Sequence, residues 1–159
     1  MGRYFYNKKS TVGDYKSISV KKLKEWNYFA QGYKCGTLTW SRQGEQIGSI
    51  GVSVSISGRE GAMRLNYRHD NKDDMDYEVR LTSTPCHYGG VRWWFICPLS
   101  RNGVYCGRRV GVLYLGKYAG CRHCYDLTYE SCQDSHKFDF LARSMGLADE
   151  KELKRALGW

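Results

Sequence analysis

Proline and long apolar runs are what this chain has least of. Two prolines among 159 residues leave almost nothing to interrupt strand pairing. Nowhere do the roughly eighteen consecutive apolar residues of a membrane span occur, so no membrane partner is expected. Also missing are the residue orders that common catalysis needs: there is no P-loop, no HExxH and no Ser/His/Asp arrangement. Cys86 and His87 are adjacent in sequence, whereas catalytic Cys/His partners meet in space. The acidic loop from His69 to Asp76 lacks the glycine and terminal glutamate of an EF-hand and reads as a solvated hairpin tip. The expectation is a protein that is not an enzyme and has no small-molecule substrate. The opening Gly2-Arg3-Tyr4 has no apolar stretch of the secretory kind. Seven cysteines cannot all pair as disulfides, so a reducing cytoplasm is the expected setting.

What the chain has in quantity is glycine (18), tyrosine (13) and positive charge, a net +9. The charge is blocked. Residues 1–34 carry +6, residues 35–78 carry −2, residues 79–125 carry +7 without a single acid, and residues 126–159 carry −2. A polyanionic partner is the physical expectation for such blocks, and a basic surface kept for solubility is the plainer alternative.

Four cysteines fall within residues 95–126. Eight residues separate Cys97 from Cys106, fourteen separate Cys106 from Cys121, and two separate Cys121 from Cys124. Tetrahedral zinc needs four such donors converging, and chain reversals at Asn102-Gly103, Cys106-Gly107, Gly116 and Gly120 can deliver them. Val110, Val112, Tyr114 and Tyr118 between the pairs read as strand residues. The pattern predicts a zinc ribbon holding one structural Zn²⁺ through Cys97, Cys106, Cys121 and Cys124. Its first pair is more widely spaced than the usual knuckle. His123, between two better-placed donors, is expected to point outward. Cys35, Cys86 and Cys132 are expected as buried or half-buried free thiols.

Along the rest of the chain, residues 1–17 read as a flexible basic arm. Ser19 caps a short helix whose Val20, Leu23 and Trp26 share one side and whose Lys21, Lys22 and Lys24 share the other. Residues 18–92 form this helix and a β-meander. Ile50, Val52, Val54 and Ile56 alternate with small residues, Met63, Leu65 and Tyr67 face inward, and Tyr77–Thr82 is a further strand. The small outer face of Gly51, Ser53 and Ser55 leaves room for a partner or for the arm. Val91–Ile96 leads into the ribbon, residues 93–131. Trp93 and Trp94 there have two candidate uses: packing the ribbon on the meander, or stacking and docking. Residues 132–159 read as a helical segment, with a helix near 137–146 and a capping box at Asp149–Glu152.

Several segments together (VKKLKEW, LTW, TPCHYGG, RWWFICP, CGRRVGVLYL and CRHCYDLTYES) resemble a widespread, uncharacterised family of bacterial and prophage or mobile-element zinc-ribbon proteins. The resemblance spans most of residues 20–147. It implies a zinc site and a mobile-element context, and hands over no activity. It departs at Cys97–Cys106, where many relatives have a short CPxC knuckle.

The resulting expectation is an α+β fold, mostly antiparallel β, with a small β-meander packed on a zinc ribbon and short helices at both ends. The expected function is non-enzymatic association with nucleic acid, DNA or RNA. Phosphates would meet Lys21, Lys22, Lys24, Arg92, Arg101, Arg108, Arg109, Lys117 and Arg122. The alternative is a phage or mobile-element protein-interaction module serving a larger nucleic-acid machine, such as a defence or CRISPR complex.

Overall fold

Strict alternation of Ile50, Val52, Val54 and Ile56 with small residues puts all four on one face of a strand, and all four are buried. The computed structural model, which describes residues 9–69, 73–133 and 146, builds the fold around that face. In chain order the elements are β1 (Lys16–Ser19), α1 (Val20–Glu25), β2 (Gly32–Arg42), β3 (Glu45–Ser57), β4 (Glu60–His69) and β5 (Asp73–Pro85). They continue with β6 (Val91–Ile96), β7 (Ser100–Arg101), β8 (Val104–Tyr105), β9 (Arg109–Val110), β10 (Val112–Leu115) and β11 (Ala119–Gly120). Single 3₁₀ turns lie at Val12–Asp14 and Glu130–Cys132. The described structure is thus mostly antiparallel β with few helices, and none of its helices is long and apolar enough to cross a membrane.

Strands β2 to β6 form the predicted meander, and β9 adds a sixth strand beside β6. All pairings are antiparallel. One face of this sheet is solvated: Ser53, Arg64 and Glu78 lie opposite one another across β3, β4 and β5, with the two charged residues exposed. The other face carries Val54, Met63, Leu65, Val79 and Phe95, each fully buried. A second layer covers it. Ile18 of β1, Leu23 of α1, Leu113 of β10 and Ala119 of β11 belong to the same apolar cluster. Antiparallel sheets allow this one-sided burial.

The second layer draws on both ends of the described chain. β1 pairs with β10, Lys16 opposite Leu115 through Ser19 opposite Val112, and β10 pairs with β11. Residues 11–17, assigned by the sequence to a flexible arm, are therefore held. Thr11 bridges Thr128, and the Val12 N–H donates to the Thr128 carbonyl at 2.9 Å. Helix α1 is where the sequence puts it, with the Lys22 N–H donating to Ser19 Oγ at 3.3 Å. The side shared by Val20, Leu23 and Trp26 is not uniformly covered. Trp26 is 48% exposed, while Leu23 and Tyr28 are buried, and Phe29 stacks on Trp93 with ring centroids 5.2 Å apart.

Acidic residues near the β4–β5 turn pair with cations. Asp74 meets Arg68 at 2.9 Å, Asp76 meets Arg64 at 2.6 Å and Asp73 meets Lys117 at 3.2 Å. Residues 1–8, the helix at 137–146 apart from Gly146, and the capping box at Asp149 lie outside the described residues.

Candidate metal centre

Strand β6 delivers Cys97, and the chain then reverses in a hairpin rather than a knuckle. Asn102 and Gly103 occupy the tip at φ 51° and 77°, the left-handed pair that a two-residue hairpin turn requires. Ser100 and Arg101 of β7 pair with Tyr105 and Val104 of β8. The Cys106 N–H donates to the Leu99 carbonyl at 2.8 Å. Gly107, at φ 55°, donates to the Cys97 carbonyl at 3.2 Å, and the Cys97 N–H donates to the Arg108 carbonyl at 2.9 Å. Two residues, Gly107 and Arg108, thus face Cys97, a bulge of the kind that re-aims a neighbouring side chain. Eight intervening residues become compatible with one site because both strands of a hairpin carry a cysteine to it.

The stretch between the cysteine pairs is not a simple hairpin. Val110 lies in β9 of the large sheet, while Val112 and Tyr114 lie in β10 of the small one, so the chain changes sheets at Gly111. It returns through Lys117 and Tyr118 to β11, which presents Cys121. A tyrosine clamp fixes this return. Tyr67 Oη donates to the Lys117 carbonyl at 2.6 Å and lies 3.0 Å from Tyr77 Oη, which accepts from the Ala119 N–H at 2.5 Å. Burial and the Tyr77 hydroxyl push the Tyr67 phenol well above its usual range, so the clamp stays protonated. The Tyr125 hydroxyl donates to the Tyr118 carbonyl. Gly116 is required by the Tyr125 ring, whose nearest atoms would lie 2.6–3.0 Å from a Cβ at that position. The sequence presents Gly116 and Gly120 as turn formers. Here their role is to admit neighbours: Leu99 and Tyr125 occupy the space a side chain at position 120 would need.

The result is a cluster. The sulfurs of Cys97, Cys106, Cys121 and Cys124 lie within 4.8 Å of one another. Cys97 to Cys124 and Cys106 to Cys121 are each 3.8 Å. Tetrahedral zinc thiolate with bonds of about 2.3 Å requires sulfur separations of about 3.8 Å, so the donor set and its size fit a metal ion. The Cys121 N–H points at Cys97 Sγ at 3.4 Å, a contact that stabilises a thiolate. The Cys124 N–H donates to the Cys121 carbonyl at 3.1 Å and closes the second pair into a tight turn.

Without metal, burial pushes the Cys97 thiol up to about 11 and raises Cys124 as well. At Cys106 burial acts in the same sense but is outweighed by the Arg108 N–H and neighbouring thiols, and the net shift is downward. Metal uptake must expel these protons and therefore weakens as pH falls. The other thiols correct the sequence reading: Cys35, Cys86 and Cys132 are exposed rather than buried.

The basic residues do not form one surface. Arg101, Arg108 and Arg122 line a groove of about 720 Å³ beside the cluster, together with Lys9, His123 and the edges of Cys106 and Cys124. His123 is exposed, as expected. Arg101 donates to the His123 carbonyl at 3.1 Å, and Arg122 lies 5.0 Å over the Tyr129 ring. Arg92 and Arg109 sit on the large sheet instead, Arg92 stacked 4.2 Å over the half-buried Trp94, whose indole N–H donates to Thr84 Oγ1 at 2.9 Å. Lys117 pairs with Asp73. Lys21, Lys22 and Lys24 are exposed on α1, whose first N–H, at Val20, donates to the Gly111 carbonyl at 2.9 Å. Trp93 is 5% exposed and stacked on Phe29. It packs the core and has no face for an outside ring. Lys9 and Tyr105, both in the groove wall, were not singled out by sequence. Their only sequence signals are basicity and an aromatic beside a cysteine. Comparison with protein-family models, curated proteins and solved structures finds no match for this chain.

Proposed function

We propose that this chain is a non-enzymatic zinc protein that associates with nucleic acid. Cys97, Cys106, Cys121 and Cys124 hold one structural Zn²⁺, the β7–β8 hairpin and the Cys121–Cys124 turn act as a zinc ribbon, and the groove beside it receives phosphates. The observation that carries the reading is the convergence of Arg101, Arg108, Arg122 and Lys9 on one concave surface against the cysteine cluster. A metal-anchored backbone holds guanidinium groups with little further loss of freedom, and arginine presents a planar fork suited to phosphate oxygens. Lys21, Lys22 and Lys24 on α1 add point charges to the same reading.

Salt titration tests it. Binding to generic DNA or RNA weakens with ionic strength, with a log–log slope of about −0.9 per duplex phosphate neutralised and about −0.7 per single-strand phosphate. Arg101→Ala with Arg108→Ala is expected to flatten that slope by roughly one to two with zinc content unchanged. If the wild type shows no salt-sensitive binding at low ionic strength, the reading fails. Docking of the exposed hairpin tip, where Val104 is 70% exposed, onto a protein partner then takes its place.

A further inference from the structure

Resting on that reading, we infer that the groove beside the cysteine cluster takes a single strand of nucleic acid, with Tyr105 as the platform for an unpaired base. Two independent features support this.

The first is charge. The groove has four cationic side chains, Lys9, Arg101, Arg108 and Arg122. Lys9 is paired with Asp126 at 3.0 Å, and Asp126 also lies in the wall. Four thiolates on a divalent ion add about −2 immediately beneath it. The local excess is small. Such a groove can neutralise only a few phosphates, which suits a single backbone better than a duplex, in which two backbones crowd charge along the axis.

The second is the aromatic in the wall. Tyr105 is 54% exposed although it sits at the end of β8, directly before Cys106 of the cluster. The ring borders Gly107, where a Cβ would lie 3.0 Å from its Cε1, so glycine at 107 leaves it space. An exposed aromatic on a rigid strand can stack on a base only if that base is not already stacked in a helix. Arg122, held over Tyr129 at 5.0 Å and within 3.5 Å of the Leu127 carbonyl, adds a flat cation to the groove lining. Stacking and a few guanidinium contacts, rather than dense charge, are how single strands are held without sequence readout.

The test uses the full-length, zinc-loaded protein and three probes of about twelve nucleotides: oligo-dT, the same backbone with abasic sites, and a duplex of mixed sequence. Oligo-dT is expected to bind about five- to 150-fold more tightly than the abasic strand, the range that one stacked base supplies. Tyr105→Ala should remove that advantage while leaving abasic binding unchanged, and Tyr105→Phe, which keeps the ring, should retain it. Zinc content of each variant shows that the hairpin is intact. Equal binding of oligo-dT and abasic strand, or tighter binding of the duplex, overturns this inference and leaves the phosphate reading standing. Absence of binding to all three probes at low salt overturns both.

Discussion

The two ends of this molecule are held together by different forces. The meander end owes its order to apolar burial: Val54, Met63, Leu65 and Val79 are fully buried in strands of ten to thirteen residues. At the cysteine end β7 and β8 are two residues each, and Val104 and Tyr105 are exposed. Strands so short bury little, and hydrogen bonds of a two-residue ladder contribute little net stability. There the four convergent thiols, whose arrangement fits a metal ion, are the further means of cross-linking. One region is a small apolar core; the other is a set of short loops gathered around those thiols. Rigid loops with exposed side chains are where binding groups concentrate.

The sharpest way to break this contrast is at the cysteine cluster. Structural zinc contributes folding free energy on the order of 10 kcal/mol in finger peptides. Cys121→Ser, or a strong chelator, is expected to abolish zinc binding and to release amide protection in residues 97–108 and 121–127. Protection in β3 and β4 should outlast it. Hydrogen exchange followed by residue checks this, and simultaneous loss of both ends would show a single cooperative unit.

A core substitution should act the other way round. Leu65→Ala removes a fully buried side chain and is expected to cost about 2–5 kcal/mol, read as a lower denaturation midpoint. Zinc stoichiometry in the surviving folded protein should remain at one. A variant that loses metal in proportion to stability would mean that the cluster leans on the meander more than its geometry implies.

The smallest effect sharpens the comparison at the surface. Asp73→Asn with Asp74→Asn breaks two ion pairs whose members are all more than half exposed. Such pairs are worth about 0–1 kcal/mol, so thermal midpoint and nucleic-acid binding should barely move. A divalent-dependent nuclease activity lost in that variant would instead make the loop a catalytic site.

How much of this was legible in the sequence follows the same division. The meander was, because alternation at Ile50–Ile56 and at Met63–Tyr67 is a local signal with one structural meaning. The Asn102-Gly103 reversal and the four ligand candidates were legible too, since spacing and turn chemistry are local. What escaped depends on partners far along the chain. β1 looked like part of an arm because nothing in Lys16–Ser19 marks it as a strand until Val112–Leu115 lies beside it. Trp93 was open between core and surface because strand alternation cannot say which face will be covered, and Phe29 decides it. The exposed thiols were misjudged because cysteine's average preference for burial says little about a residue on the solvated face of an edge strand such as Cys35.

The pairing of β1 with β10 has a consequence for how the chain must be made. Residues 16–19 wait for residues 112–115, so their hydrogen bonds cannot form until most of the polypeptide has left the ribosome. The meander, whose neighbours follow one another in sequence, can assemble earlier. Its apolar face, with Val54, Leu65 and Val79, lacks the part of its cover that comes from β10 and β11 until they emerge. That interval is when nascent sheets are prone to associate with one another. Closing it joins sequence-distant segments, the slow class of folding step, and here one of the late-arriving strands, β11, also leads into Cys121.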